Sequence, residues 1–440
     1  MKRLVWAVVP LAVLAATAGV DAKKKPAYRD ATPIIFVHGG SGSGAQFATQ
    51  AMRFASNGYD PDILTVVEYN SAALSPANSA DAAFVYGRID ARIAELQAKT
   101  GKPKIDLMGH SLGTTFSHGY LADPARAAKI AHYVNIDGRT GSAPPGGVPT
   151  LALWAGAVNR PTPPQIVGAT NVTIPNQEHV EVATSKEAFR EMFRFLTGEE
   201  PASPTIVPTR GAIELSGRAV IFPDNAGANG ALLQIWRVQP RTARRTSRKP
   251  RASYVLGPDG AFTFVGRQKA NYEFVLMLPG QLPLHYFYER FPRSDKLVRV
   301  NAAPALEPFF SRSPQHTGLS IIRYKEYWGD RGARNDVLSV DGTNVINPVT
   351  APSGQVGAAA VAMFLLDVGL DFVSHLDVVP VPFGALSFLT GADLYIPVGT
   401  TPLPIVTVPR GDASKTRTLN VRRIVSTEGR MAVQLHDYEE

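Results

Sequence analysis

A serine between two glycines is the residue of this chain best placed to do chemistry. Residues 109–113 read Gly-His-Ser-Leu-Gly and match the pattern G-x-S-x-G. Residues 104–108 before them predict a short buried strand, and residues 114–121 predict a helix. A strand, a sharp turn with Ser111 at its tip and a helix form a nucleophile elbow. Glycines suit such a turn because strand and helix approach each other too closely for a Cβ atom.

A serine hydroxyl needs a base within hydrogen-bond reach, and the base needs an orienting carboxylate. Beyond Ser111, three histidines lie in the first half of the chain. His118 falls on the helix after the elbow, and His132 opens a strand at the end of the sheet away from the serine. His179 lies in a loop between the last strand and a closing helix, where the carboxyl ends of parallel strands form sites. We therefore predict His179 as the base.

Three acids lie between the serine and this histidine. Asp123 ends the elbow helix and starts a turn with the proline that follows it. Glu178 is adjacent to His179 and should point elsewhere. Asp137 follows a strand predicted to lie next to the nucleophile strand, at its carboxyl end, and we predict it as the orienting acid. The alternative for Asp137 is a plain turn former in the sequence Asp-Gly.

Two backbone N–H groups should stabilise the oxyanion that such a serine would generate. One belongs to Leu112, the residue after the serine. The other should come from the glycine-rich loop at residues 38–44, and we predict Gly40. The same loop could cradle a phosphate, but no Gly-Lys-Ser/Thr follows it. The sequence offers no cofactor motif, and the Asp and His residues between positions 367 and 377 are spaced too loosely for a calcium loop.

Residues 33–198 alternate between strand and helix patterns. Predicted strands lie at 34–37, 63–69, 104–108, 131–136, 150–154 and 172–174, and predicted helices at 46–56, 81–99, 114–121 and 186–196. This alternation predicts a mainly parallel sheet with helices on both faces. Residues 199–209 are polar and proline-bearing and predict a linker. Short strands separated by turns then predict a β-sandwich at 210–300, similar to transthyretin-like domains, and a second β domain at 301–440.

The beginning of the chain has the composition of a targeting segment. Residues 1–3 are basic at two of three positions, residues 4–20 are uncharged and apolar, and residues 16–18 and 20–22 each fit a small-residue cleavage signal. This predicts a cleaved signal peptide over residues 1–22 and an exported protein, secreted or periplasmic. A membrane anchor is the alternative, because the run is about as short as a spanning helix can be. The chain has no cysteine, which excludes a thiol nucleophile and cysteine-ligated zinc.

The net charge of +8 is partly concentrated in one stretch, Arg241 to Arg251, which holds six basic residues. Such a stretch could contact an anionic lipid surface or a phosphate. The favoured interpretation is a solvated hairpin loop. No pattern of nucleic-acid binding accompanies it.

The residues quoted above resemble those of secreted triacylglycerol lipases and esterases of the α/β-hydrolase superfamily. The resemblance covers residues 30–200, and the plan of a small hydrolase domain with a β-rich C-terminal region is similar to that of archaeal-type lipases. It implies a minimal α/β-hydrolase domain at 23–198, with Ser111, Asp137 and His179 as the triad. It also implies that residues 210–440 build or cover an acyl channel. No long amphipathic lid helix interrupts the hydrolase pattern, which leaves small esters and polyesters open as substrates.

The sequence therefore predicts a serine carboxylic-ester hydrolase acting on a lipid or another apolar ester. An amidase, an acyltransferase or a polyester depolymerase would use the same triad. A surface-binding protein with a relict hydrolase fold is a non-enzymatic alternative, against which the complete set of serine, acid and histidine argues.

Overall fold

The computed structural model describes residues 31–438, so the signal peptide predicted at 1–22 lies outside the described residues. The first six strands form one sheet, and they are β1 (Ile34–Val37), β2 (Leu64–Val67), β3 (Ile105–His110), β4 (Ile130–Ile136), β5 (Thr150–Ala155) and β6 (Thr170–Ile174). Their order is β2-β1-β3-β4-β5-β6, and every neighbouring pair is parallel. Parallel neighbours require crossover connections. The connections from β1 to β2, β2 to β3 and β3 to β4 contain α-helices, whereas those from β4 to β5 and from β5 to β6 are loops without an α-helix.

Six α-helices connect and cover this sheet: α1 (Ala48–Ser56), α2 (Ser79–Thr100), α3 (Leu112–Leu121), α4 (Pro124–Ala127), α5 (Glu181–Thr184) and α6 (Lys186–Thr197). Helix α1 packs on α6, where the rings of Phe54 and Phe189 meet edge to face. Helix α2 packs on α3 through Tyr86 and Tyr120 in the same manner. The helix predicted at 46–56 begins later, at Ala48, because residues Gly44–Phe47 form a 3₁₀ turn. The short helices α4 and α5 were not predicted, because four residues are too few to show a helical periodicity.

The remainder of the described chain is built of strands. They are β7 (Ala212–Ile221), β8 (Ala226–Gly227), β9 (Leu232–Val238), β10 (Ala252–Val255), β11 (Ala261–Arg267), β12 (Asn271–Met277), β13 (Leu284–Tyr288), β14 (Asp295–Ala302), β15 (Leu319–Arg323), β16 (Val337–Val340), β17 (Thr343–Asn344), β18 (Ala362–Leu366), β19 (Leu389–Asp393), β20 (Leu403–Val408), β21 (Arg417–Val421) and β22 (Arg430–Leu435). The predicted fold class, an α/β-hydrolase followed by β domains, is confirmed.

One eight-stranded sheet runs through both parts of this β-rich region, in the order β10-β9-β12-β13-β22-β15-β18-β19. Strand β22, near the end of the chain, lies between β13 and β15 and is parallel to both. The boundary predicted between residues 300 and 301 falls within β14. The large sheet also contains strands from both sides of this boundary.

Two smaller sheets complete the β-rich region. The sheet β11-β7-β14 packs on the large sheet, and a shared core joins Leu215, Phe262 and Val298 of one to Ile235 and Phe274 of the other. This is the two-sheet sandwich expected in the first part of the region. The second small sheet, β17-β16-β20-β21, contributes to a separate core with β15 and β18.

The basic stretch at Arg241 to Arg251 connects the antiparallel strands β9 and β10. Arg245 folds back onto the buried carboxylate of Glu273, with its Nε 2.7 Å from Oε2. Its guanidinium also lies over the ring of Trp236. Among residues 31–438, no helix combines the length and the apolar composition that a bilayer crossing requires.

Candidate active site

Ser111 stands between the end of β3 and the start of α3, with φ 53° and ψ −122°. A non-glycine residue with positive φ is strained, and this backbone presents the side chain at the tip of the turn. The flanking glycines permit the turn. A Cβ atom on Gly109 would lie 2.9 Å from the carbonyl oxygen of Gly113, and one on Gly113 would lie 2.3 Å from that of Val37. The two glycines of the G-x-S-x-G pattern are therefore required because backbone segments approach each other closely at these positions.

The loop after β4 brings Asp137 against the elbow. Asp137 also has a positive φ of 41°. A Cβ atom on the next residue, Gly138, would lie 2.1 Å from the hydroxyl oxygen of Thr114. That hydroxyl accepts a hydrogen bond of 2.6 Å from the backbone N–H of Arg139. The acid-bearing loop is thus fixed on the first turn of α3, directly beside Ser111.

His179 and Asp137 are hydrogen-bonded to each other and both are buried. The distance between Nδ1 of the histidine and Oδ2 of the aspartate is 2.6 Å. The other oxygen of Asp137 accepts a 2.8 Å bond from the backbone N–H of Ala155. A carboxylate that accepts from Nδ1 leaves Nε2 of a neutral ring as the proton acceptor. Within residues 31–438 this Nε2 is buried and has no hydrogen-bond partner, which leaves it available to a serine hydroxyl.

Arg160 is a third member of this cluster that the sequence did not reveal. Its Nη2 donates a 2.6 Å hydrogen bond to the same Oδ2 that accepts from His179. Burial alone would raise the pKa of Asp137, but the hydrogen bonds from His179 and Arg160 outweigh it and hold that pKa well below its ordinary value. Asp137 therefore stays ionised wherever His179 can act as a base.

His110, the first variable residue of the G-x-S-x-G pattern, is hydrogen-bonded to the backbone of the loop that carries His179. Its Nε2 lies 2.8 Å from the carbonyl oxygen of His179, and its Nδ1 lies 2.8 Å from Nε2 of Gln46. Donation to a carbonyl requires the proton on Nε2, so Nδ1 accepts from the amide of Gln46. Burial, together with the charge of His179, lowers the pKa of His110 to about 3, so the ring is neutral.

Of the two residues predicted as oxyanion donors, Leu112 directly follows the serine, and Gly40 follows Gly39, on which a Cβ atom would lie 2.8 Å from Cβ of Ser111. Leu112 is the first residue of α3, where a backbone N–H has no acceptor within the helix. A Cβ atom on Gly40 would meet no atom within 4 Å, so space is open beside it. The loop that carries Gly40 is anchored at Gly42, whose carbonyl accepts 2.9 Å from the side-chain amide of Asn225, and at Gly44, whose N–H donates 3.1 Å to Glu68.

The residues set aside in the sequence have other partners. His118 bonds Asn135 at 3.1 Å, and His132 pairs with Asp106 at 2.9 Å. Asp123 caps helix α4. Glu178 turns away from the site and accepts from the indole of Trp328, 3.1 Å away. No three His, Cys, Asp or Glu side chains within residues 31–438 are grouped so that they could hold a metal ion.

An apolar cavity lies beside the loop that carries Gly40. The loop contributes Ser41, Gly42 and Ser43 to its wall. The β-rich region supplies the rest, chiefly apolar side chains such as Phe222, Leu284, Phe310, Ile322, Val361, Phe364, Phe388 and Met431. The ring of Phe388 also stacks on His179, with 5.9 Å between the ring centres. The cavity and the candidate triad therefore adjoin.

Two parts of the chain match models of lipase families. Residues 31–121, which include the glycine-rich loop and the elbow, match the class 2 lipase family. Residues 211–304 match the lipase C-terminal domain, and residues 305–439 match a further C-terminal domain model. With the α/β-hydrolase fold, these matches support an ester hydrolase in general.

Three solved structures share a low level of similarity with the chain. A Listeria innocua gene product is 14% identical with a TM-score of 0.29, and the match covers 40% of this chain and 97% of that one. Aspergillus fumigatus lipase B is 11% identical with a TM-score of 0.30, covering 40% and 55%. The Bacillus licheniformis lipase BlEst2, in its propeptide form, is 12% identical with a TM-score of 0.32, covering 57% and 72%.

Proposed function

We propose that this protein is an exported serine carboxylic-ester hydrolase, a lipase that cleaves acylglycerols or other apolar esters through an acyl-enzyme. The observation that carries the proposal is the buried His179–Asp137 pair beside a serine held on a strained elbow. The two lipase-family matches and the adjoining apolar cavity support it. We further propose a catalytic domain at 23–198, a linker at 199–209 and β domains at 210–300 and 301–440.

In this mechanism Ser111 attacks the ester carbonyl while Nε2 of His179 takes its proton. The carbonyl oxygen becomes an oxyanion and accepts hydrogen bonds from the N–H groups of Gly40 and Leu112. Asp137 holds the imidazole tautomer and stabilises the imidazolium. The imidazolium then protonates the leaving alcohol. Water, deprotonated by the same histidine, hydrolyses the acyl-enzyme and regenerates the serine.

The substrate class follows from the wall of the cavity. An acyl chain attached to a carbonyl in the oxyanion site would extend past Ser41 to Ser43 into a space walled by aromatic and aliphatic side chains. Burial of each methylene group there would contribute about 0.8 kcal/mol. A lipid or another long apolar ester gains from such a cavity, whereas an acetyl ester does not reach it.

The decisive variant is Ser111→Ala. We expect it to abolish turnover of p-nitrophenyl butyrate and covalent labelling by a fluorophosphonate probe, because both reactions need the hydroxyl nucleophile. The thermal midpoint should change little, since only one oxygen atom is removed. Ser253→Ala, at an exposed position of β10, is the matched control and should keep both reactions. Undiminished turnover or labelling in the Ser111 variant would overturn the assignment.

A further inference from the structure

The loop that carries His179 is fixed from the far side by the C-terminal region. Glu326 follows β15 and is buried. Its two carboxylate oxygens accept hydrogen bonds from two consecutive backbone N–H groups, those of Val180 and Glu181, the latter at 3.0 Å. These N–H groups belong to the two residues directly after His179. A single side chain of the β-rich region thus defines the backbone direction at the candidate base.

The side chains of Glu178 and Glu181, on either side of His179 in this loop, also bind residues of the C-terminal region. Glu178 accepts from the indole of Trp328 at 3.1 Å and from the backbone N–H of Gly354 at 2.9 Å. Glu181 pairs with Lys325 at 3.1 Å and with Arg410. These bonds hold side chains on either side of His179, whereas Glu326 binds the backbone N–H groups.

The opposite side of the loop is held by the hydrolase domain. His110 bonds the carbonyl of His179, and Asp137 bonds its ring. His110 and Asp137 bind the carbonyl group and the ring of His179, and Glu326 binds the two N–H groups that follow it. Catalytic geometry is sensitive to such constraints, because a displacement of about 1 Å can lower a rate about a hundredfold.

We propose that Glu326 is a positioning residue for the candidate base His179, so that the C-terminal region is part of the catalytic machinery as well as of the substrate cavity. The inference rests on the proposed ester-hydrolase function. Glu326 does not reach the reacting atoms. It acts by fixing the backbone from which the imidazole extends.

Glu326→Gln tests the role of the carboxylate, because glutamine has the same shape but turns one acceptor into a donor that faces backbone donors. Burial raises the pKa of Glu326 to about 7, so kinetics are measured at pH 8, where the carboxylate is ionised. With p-nitrophenyl butyrate we expect kcat to fall by about tenfold to a hundredfold while KM stays within twofold. Glu326→Asp keeps both acceptors on a shorter stem and should retain more activity than the glutamine variant.

Glu289→Gln is the matched control. Glu289 is also in the β-rich region, and one of its oxygens accepts from two consecutive backbone N–H groups, those of His436 and Asp437. Its hydrogen bonds hold residues 436 and 437, which follow β22 and lie outside the histidine loop. We expect this variant to lower the thermal midpoint about as much as Glu326→Gln does, with kcat unchanged.

Three outcomes would contradict the inference. If Glu326 only fills space, glutamine retains full kcat and aspartate loses more. If its role is general stability, the Glu289 and Glu326 variants lose kcat in parallel with their thermal midpoints. If the unaltered protein neither turns over the ester nor labels at Ser111, the ester-hydrolase proposal fails and the positioning role with it. An active parent with an unaffected glutamine variant overturns the Glu326 inference alone.

Discussion

At the scale of single residues, the unusual feature of the site is that one oxygen atom of Asp137 accepts hydrogen bonds from two side chains, an imidazole and a guanidinium. His179 and Arg160 each lie 2.6 Å from Oδ2. The arginine is partly exposed, and its other terminal nitrogen bonds the carbonyl of Ala155 at 3.3 Å. Its hydrogen bond and its positive charge both favour the ionised aspartate and lower the pKa of Asp137. The arginine therefore helps to keep Asp137 ionised at acidic pH.

Replacing this arginine should move the acidic limb of the pH–rate profile. In Arg160→Gln, Asp137 loses a hydrogen bond and a neighbouring positive charge, both of which hold its pKa below the ordinary value, so that pKa should rise. We expect activity on p-nitrophenyl butyrate to be lost at a higher pH on the acid side than in the parent protein, as measured by kcat/KM across pH.

The control for this shift is Arg139→Gln, because Arg139 is exposed and follows the same acid-bearing loop. Its removal takes away the same charge without a bond to Asp137. A profile that moves equally in both variants would assign the effect to net charge, and an unmoved profile in Arg160→Gln would contradict the role of the shared oxygen.

At the scale of elements, the glycine-rich loop after β1 is held by groups from two regions. Asn225, between β7 and β8, is buried and donates to the carbonyls of Gly42 and Tyr69 at 2.9 and 3.1 Å. Asn225 itself has a positive φ of 54°. An asparagine tolerates this backbone and offers two amide hydrogens, so one residue both makes the turn and fixes the loop.

Asn225 also lines the cavity, but removing its amide should act chiefly through the loop of the oxyanion site. Asn225→Gly keeps the left-handed backbone and loses both hydrogen bonds, and we expect kcat to fall about tenfold, or about 1.4 kcal/mol in activation free energy, for short and long esters alike. Asn225→Asp places a carboxylate against two carbonyls and should be worse. Steady-state kinetics on acetate and palmitate esters measure this. Loss confined to the palmitate ester would show that Asn225 acts on the acyl chain instead.

At the scale of the whole molecule, the cavity is assembled from three parts of the chain. The hydrolase loop contributes Ser41 to Ser43, the sandwich contributes Phe222 and Leu284, and the C-terminal region contributes Phe364 and Phe388. Selectivity for acyl-chain length should therefore depend on all three parts of the chain. A substitution in the β-rich region should alter this selectivity without changing the triad.

Gly318, just before β15, offers a way to fill the cavity. A Cβ atom there would lie 3.8 Å from the ring of Phe310, an ordinary contact, and its φ is not left-handed. Gly318→Leu should lower kcat/KM for p-nitrophenyl palmitate by about tenfold or more, because the acyl chain and the new side chain compete for one space. The acetate ester should be affected less than twofold.

The control is Gly87→Leu on α2, where a Cβ atom would meet no atom within 4 Å. It should leave the whole ester series unchanged. Equal loss on acetate and palmitate in Gly318→Leu would mean that the cavity does not receive the acyl chain.

The local patterns of the sequence were sufficient for the hydrolase sheet. Apolar runs and helical periodicity depend on neighbours in the chain, so the six parallel strands and the four long helices lie where those patterns predicted, with ends that differ by a few residues. The elbow could be read because the spacing of its glycines is local, although the close approach that Gly113 permits is to the distant backbone of Val37. The triad residues remain a prediction, which the Ser111 and Glu326 variants test.

Contacts over long sequence separations were decided by the tertiary structure alone. Arg160, Asn225 and Glu326 carry no motif, because a side chain that binds a backbone group needs only a suitable reach, and many residues have it. The position of strand β22 between β13 and β15 could not be predicted either, because the alternation of its residues indicates a strand but not its neighbours in the sheet. The sequence by itself determined a serine on an elbow and the kind of reaction it could perform. Only the folded chain determined that the β-rich region holds both loops around that serine, because those hydrogen bonds join residues more than 140 positions apart.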